Sequence, residues 1–251
     1  MLDSPESRTS AAQTGVELWD LSLNEFRART SGSDPTPGGE SVSAVTATLG
    51  CSLVQMALAV TTAAGTADVT ARADMDAPLA AAKARGEELS ERLAAGAGAD
   101  VIAFENLMSA YRLPRSSEDE RHTRRARIAQ FSEAAAEAPM CLAETIAETV
   151  IFAAGILGQV KPLVASDVLA GADLLMGSYR AALHTVDVNL PAVEPAAAAE
   201  IVRRRDGTSA RIEGASGQLA AQARQAAQAQ KAATAQKTQK SQQTHHAQET
   251  R

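Results

Sequence analysis

Large apolar residues recur along this chain at intervals of three and four, and that spacing constrains the fold more than any other feature. Val42, Val45, Leu49, Leu53, Met56 and Val60 are 3, 4, 4, 3 and 4 residues apart. An α-helix turns once in about 3.6 residues, so such a series lines one side of it and predicts a long helix with a core-facing stripe. Further one-sided series run through Leu79, Ala82, Gly86, Leu89 and Leu93, through Val101, Phe104, Met108 and Tyr111, through Leu142, Ile146, Val150 and Ile156, and through Leu169, Ala172, Leu175, Tyr179, Ala182 and Val186. No pair of strands is needed anywhere. Only 3% of the residues are aromatic, and alanine dominates most stretches. Alanine is the best helix former and lets helices approach closely, so the expected fold is an all-α bundle of six to eight helices.

Punctuation divides the chain. Residues 1–16 are polar and without periodicity, and are read as a disordered arm. A short amphipathic segment with Leu18, Leu21 and Phe26 follows, closed by a loop rich in Ser, Gly and Pro from Arg29 to Gly39. Whether the second and third stripes form one helix or two is open at Gly96–Gly98. Ser117 with Glu120 three residues later is a capping box and predicts a helix start; Pro139 either kinks that helix or begins the next. Pro162 breaks it, Ser166-Asp167 stand where an N-cap belongs, and Pro191 and Pro195 close the last long stripe. The helical domain is placed at 17–205. Residues 206–251 are Ala, Gln, Lys and Thr with almost no large apolar side chain, and are read as a largely disordered tail.

The overall charge of −6 hides an asymmetry. Residues 201–251 carry 9 basic and 3 acidic residues, leaving 15 and 27 for residues 1–200. An acidic globular part argues against nucleic acid as a partner, while the basic tail suits an acidic protein partner or simple solvation. Two cysteines, Cys51 and Cys141, make neither a disulfide framework nor a metal cluster, which points to a reducing, cytoplasmic setting. The longest apolar stretch, Val150–Val160, falls short of the roughly 18 residues of a membrane span. No membrane association is expected.

Five elements invite a functional reading, each with a commoner structural one. Pro35-Thr36-Pro37-Gly38-Gly39-Glu40-Ser41 leads into a helix whose free N–H groups attract anions, or it is an ordinary turn into that helix. Asp100 precedes an apolar stripe, where an N-cap or first-turn acid is the usual role. Ser166-Asp167 also fit capping, and Asn189 fits a helix C-terminus. Glu144 and Glu148, four apart, are a carboxylate pair or a solvated acidic face. His122 and His184 are isolated and His245 and His246 lie in the tail, so no metal site is expected.

Taken in order, these elements resemble the cyclodeaminase domain of formiminotransferase-cyclodeaminase and the stand-alone methenyltetrahydrofolate cyclohydrolases. The resemblance spans about 18–202. It rests on Ser22-Leu23-Asn24-Glu25-Phe26, the Pro-Gly-Gly loop with Ser41, Asp100-Val101-Ile102-Ala103-Phe104 with Leu113-Pro114-Arg115, Ala138-Pro139-Met140 with Ala143-Glu144-Thr145, Ser166-Asp167, and Val188-Asn189-Leu190. It implies an all-helical homodimer that binds a reduced folate and needs neither metal nor redox cofactor. Such an enzyme hydrolyses 5,10-methenyltetrahydrofolate to 10-formyltetrahydrofolate or reverses that step; alternatively it closes formiminotetrahydrofolate with loss of ammonia. By the same resemblance Asp100 and Asp167 are the catalytic acids, and Pro37, Gly38, Gly39, Glu40, Ser41, Ser166 and Asn189 bind substrate. The sequence departs from the family at Glu40, where a third glycine is usual, and at Thr62–Ala67, where a basic stretch is usual. Those departures keep two further readings open, a cyclase or dehydratase acting on a non-folate small molecule and a non-catalytic helical scaffold. The two acids and the Gly-Gly loop are expected to converge on one cleft.

Overall fold

The computed structural model describes residues 18–63 and 69–249, with the side chains at 63, 69–76, 100 and 229–249 outside the description. The expected N-terminal arm, 1–16, and most of the 62–67 stretch therefore lie outside the described residues. All regular structure among the described residues is helical. A 3-10 turn, Leu18–Asp20, precedes α1 (Leu23–Thr30), α2 (Gly39–Ala63), α3 (Val69–Tyr111), α4 (Glu118–Ile156), α5 (Ala165–Asn189) and α6 (Pro195–Glu249).

Local sequence sets most of these boundaries. Ser22 and Glu25 cap α1 reciprocally, the Ser22 hydroxyl accepting from the Glu25 amide at 3.2 Å and the Glu25 carboxylate from the Ser22 amide at 2.9 Å. Ser117 and Glu120 repeat the motif at the start of α4, as their spacing predicts. The question at Gly96–Gly98 resolves to one helix, since α3 runs unbroken through both glycines, and α4 likewise continues through Pro139.

Helices α2 to α5 form an antiparallel ring in which each packs on the next and α5 closes back on α2. Direct contacts fix the directions. The Ser41 hydroxyl donates to the Ala97 carbonyl and the Cys51 thiol to the Gly86 carbonyl, so α2 and α3 run opposite ways. Thr61 at the far end of α2 accepts from the Lys161 amide, while Gly50 abuts Gly171, so α2 and α5 do too. The closest approach is between these last two. A Cβ placed on Gly50 would stand 2.8 Å from the Gly171 carbonyl oxygen, and one on Gly171 would stand 2.5 Å from that of Gly50.

This crossing reorients α2 relative to its sequence pattern. The residues it buries are Ala44, Ala47, Cys51, Val54, Leu58 and Thr61, again at intervals of three and four. The larger residues of the expected stripe lie beside that face, Leu49 being 50% and Met56 37% exposed. Small side chains bring α2 onto its neighbours, and the bulky ones are displaced outward. Three buried threonines are satisfied within their own helix: Thr48, Thr61 and Thr149 each donate to the carbonyl four residues back. Burial alone pushes the Cys51 thiol up to about 11.

The structure adds detail to two sequence expectations. Segments of α2 and α4 reach mean hydropathies of 1.6 and 1.4, enough by composition for a membrane span, although interrupted by polar residues. Half of the first window and two-thirds of the second are spent inside the bundle. At residue 205, where the sequence suggests a domain boundary, no helix ends. Helix α6 passes through it without interruption, and Ile201, Thr208, Ile212, Ala215 and Leu219 are buried, with Tyr179 and Ser209 hydrogen-bonded at 2.9 Å. Two large apolar residues, Ile212 and Leu219, suffice because alanines and a threonine complete their stripe against α4.

Gly171→Ala is expected to cost about 1–3 kcal/mol by forcing α5 off α2. Gly207→Ala, at a helical position where a Cβ meets nothing, is expected to gain about 0.5–1 kcal/mol. Urea unfolding of both variants checks the contrast, and equal effects would contradict the crossing.

Candidate active site

The loop before α2 folds back beside α3, and the N-terminal turn lies across it. The Trp19 indole donates to the Ala94 carbonyl at 3.0 Å, which fixes the ring beside the middle of α3. Between these segments is an open cleft of about 670 Å³. Its walls are Leu18, Trp19, Leu21, Thr36 and Pro37 on one side and Ala94, Ala95, Gly98, Val101 and Ile102 on the other, with Arg29 among them. An indole edge, aliphatic walls and one guanidinium suit a flat heterocycle that carries an anionic group.

The loop residues divide around this cleft. Pro37 is buried and lines it, Gly38 is half-buried, and Gly39 is exposed as the first residue of α2. No described glycine adopts a positive φ, so the backbone freedom expected of Gly38 and Gly39 is not used. What Gly39 provides is open space, since a Cβ there would meet nothing. Ser41 is buried and holds α2 to α3 through Ala97 at 3.3 Å. Glu40 is only 2% exposed and is not part of the cleft wall, so its charge does not stand in the path of a ligand.

Asp100 does not begin a helix. It lies deep inside α3, in the same turn as Gly98 and Val101, because the apolar stripe after it continues the one before it. Asp167 is in the first turn of α5, half-buried, and Ser166 beside it is exposed. Neither caps the helix: the N-cap position is Val164, with no side-chain hydrogen bond, because Pro162 already starts a 3-10 turn there. The antiparallel pairing of α2 and α5 puts Asp167 level with about Val54, roughly 20 Å along the bundle from Gly39 at 1.5 Å per residue. Asp100 and the Gly-Gly loop share one end of the subunit, and Asp167 does not join them within it. Asn189 ends α5, and its side-chain amide is engaged with the Ala135 carbonyl at 2.7 Å, tying α5 to α4.

On the other side of α3 lies a polar basin of about 540 Å³, lined by Arg92, Ala95, Cys141, Glu144, Thr145, Glu148 and Arg211. By spacing alone Glu144 and Glu148 are a carboxylate pair or a solvated face. Instead Glu148 accepts from Arg92 at 2.7 Å and Arg85 at 2.8 Å, while Arg204 grips Glu144 through two nitrogens and Glu137 through a third, all at 2.7–2.9 Å. The hydrogen bond from Arg92 holds the Glu148 carboxyl below its ordinary range, with the Coulombic pull of both arginines adding to it against partial burial. Arg204 is raised by its bonds to Glu144 and Glu137. A signal was present in the sequence: Glu137, Cys141, Glu144 and Glu148 are 4, 3 and 4 apart, as polar a stripe as the apolar ones, and Arg85, Glu88 and Arg92 repeat the spacing on α3.

Comparison with known proteins gives concordant results. The sequence profile of the formiminotransferase-cyclodeaminase family matches residues 22–206. The chain is 27% identical over 168 residues to a methenyltetrahydrofolate cyclohydrolase of Methylorubrum extorquens, covering 67% of this chain and 78% of the relative. Its fold superposes on the crystal structure of formiminotetrahydrofolate cyclodeaminase from Thermotoga maritima with a TM-score of 0.69 at 25% identity, over 82% of this chain and 97% of that one.

The lowered carboxyl of Glu148 makes stability depend on pH. Its folded value lies below the ordinary 4.5, so the ion pair stabilises the protein above that value and the contribution is lost as pH falls through the folded one. Glu148→Gln should therefore be less stable than the parent at pH 7 and converge on it in acid. Urea midpoints from pH 7 to 3 measure this; a constant gap would show that the arginines do not act through charge.

Proposed function

Because the chain belongs to the formiminotransferase-cyclodeaminase family, we propose that it is a folate one-carbon enzyme that hydrolyses 5,10-methenyltetrahydrofolate to 10-formyltetrahydrofolate, or runs the reverse. The observation that carries this reading is the cleft beside the start of α2, where aliphatic walls, the Trp19 indole and Arg29 face the stretch of α3 from Ala94 to Ile102 that includes position 100. The methenyltetrahydrofolate cyclohydrolase among its relatives supports the choice of reaction.

The chemistry asks for proton transfer at one carbon. Water adds to the cationic carbon bridging N5 and N10, loses a proton, and leaves a neutral tetrahedral centre. That centre collapses as its hydroxyl gives up its proton and the bond to N5 breaks, N5 taking up a proton, and the formyl group stays on N10. A carboxylate suits both roles, first as the base toward water and then as the acid toward N5, and its charge stabilises the cationic substrate before attack. Asp100 is assigned that part, with Pro37, Gly38 and Gly39 beside the ring system. No metal or redox group is required, and a cytoplasmic enzyme fits a substrate of this kind.

A second reading is favoured by the structural neighbour, a formiminotetrahydrofolate cyclodeaminase. There the amine of the formimino group leaves as ammonia while N10 closes on the same carbon, and the proton requirements are alike.

The active form is proposed to be a homodimer joined through the outer face of α2 and α5. From Ser41 to Ala63 α2 has no charged residue, yet Leu49 and Met56 are exposed there, as is Leu174 on α5. Uncharged apolar faces of this kind are typical of subunit contacts. Asp167 can serve the cleft only if the second subunit brings it there.

Absorbance decay of methenyltetrahydrofolate and ammonia release from formiminotetrahydrofolate separate the two reactions. Asp100→Asn should lower the active one by about a hundredfold or more, the usual worth of a positioned acid or base. Absence of both activities in the parent protein would overturn the reading. Sedimentation at micromolar concentration should give a dimer, and Leu49→Lys with Met56→Lys a monomer; a monomeric parent would remove the proposed interface.

A further inference from the structure

Six consecutive small residues, Ala94 to Ala99, occupy the middle of α3. Glycine inside a helix costs about 1 kcal/mol relative to alanine, so its presence calls for a reason. Gly96 has one in packing, because a Cβ there would come within 3.0 Å of Leu142. Gly98 has none of that kind; a Cβ would meet nothing, and the position opens on the apolar cleft. The outer surface of α3 is thereby a low saddle. The apolar cleft lies on one side and the polar basin on the other, and Ala95 lines both.

Across the saddle the charges are unevenly used. Arg85 and Arg92 are committed to Glu148, and Arg204 to Glu137 and Glu144. Arg211 also lines the basin and has no ion pair or hydrogen bond among the described residues. With both lining glutamates already held by arginines, the charge left facing the void is its guanidinium. Arg211 stands beyond residue 206, where the family match ends, on the stretch of α6 that Ile212, Ala215 and Leu219 anchor to the core. That anchoring fixes the helix position from which the exposed guanidinium extends.

We propose that Arg211 forms a subsite for the carboxylate-bearing tail of an elongated substrate whose ring system lies in the apolar cleft and which crosses α3 at Ala95. Guanidinium meets carboxylate through two parallel N–H donors, and Arg92 at the rim adds to the positive field. Resting on the folate reading, this assigns the tail as the glutamate carboxylates of the reduced folate. The segment of α6 beyond the family match is then part of the binding site.

Calorimetry on the full chain tests this with three ligands: methenyltetrahydrofolate, its analogue without the glutamate (methenyltetrahydropteroate), and p-aminobenzoylglutamate, which keeps the tail and lacks the pterin. Arg211→Ala should weaken methenyltetrahydrofolate about tenfold, the worth of one exposed charge-assisted hydrogen bond, and leave the glutamate-free analogue unchanged. Arg211→Lys should restore part of the loss. Arg224→Ala, further along α6, controls for general charge. If the parent binds methenyltetrahydrofolate and Arg211→Ala binds both pterin ligands equally well as the parent, the subsite is overturned and the folate reading stands. If p-aminobenzoylglutamate binds in an Arg211-dependent way and neither folate reaction is catalysed, the subsite stands and the enzymatic reading fails. If none of the three binds, both are overturned.

Discussion

The close crossing of α2 on α5 at Gly50 and Gly171 is the constraint from which the rest of the subunit follows. Each glycine leaves room for the other's carbonyl oxygen, and no side chain fits there. With the axes so near at that level, the face α2 buries is dominated by small residues, Ala44, Ala47, Cys51 and Ala57, with Val45, Val54 and Leu58 beside them. Its larger side chains are turned to the outer surface, and the end of α2 that carries the Gly-Gly loop is held against α3 through Ser41. A crossing at another level would move that loop relative to Ala94–Gly98, and the cleft between them would close or disappear.

The second organising feature is polar. Along α4 the stripe Glu137, Cys141, Glu144 and Glu148 faces arginines from α3 on one flank and from α6 on the other. These pairs are partly buried and made through multiple nitrogens, so removing either partner leaves a charge in a poorly hydrated place. They also fix the rotation of α6 about its axis. Arg204 bonded to α4 is what aligns Thr208, Ile212, Ala215 and Leu219 on the core side and Arg211 toward the basin.

The candidate site was legible in its pieces and not in its assembly. The loop 35–41 and the apolar stripes stand out in the sequence, and the cleft forms where that loop lies against α3. Trp19 and Arg29 were not singled out, because an isolated aromatic and an isolated arginine in a short N-terminal segment carry no periodic signal. Asp100 and Asp167 looked alike, each an acid ahead of an apolar run. Only the direction of α5 against α2 separates them, and direction depends on how the connections between helices return.

What the sequence determined by itself is the class of the elements and several of their boundaries: spacing by three and four, alanine-rich composition, the capping box at Ser117 and the prolines between α4, α5 and α6 are all local, and local physics reads them. Tertiary structure decided which face of each helix is inside. In α2 the stripe of larger residues and the stripe of smaller ones have the same period, and hydrophobicity alone favours burying the larger. Two glycines far apart in sequence reversed that choice, because a helix pair that touches backbone to backbone buries its smallest residues at the contact. Tertiary structure likewise made core of residues 206–219, whose sparse apolar side chains gain their stability only from the surface of α4 that receives them.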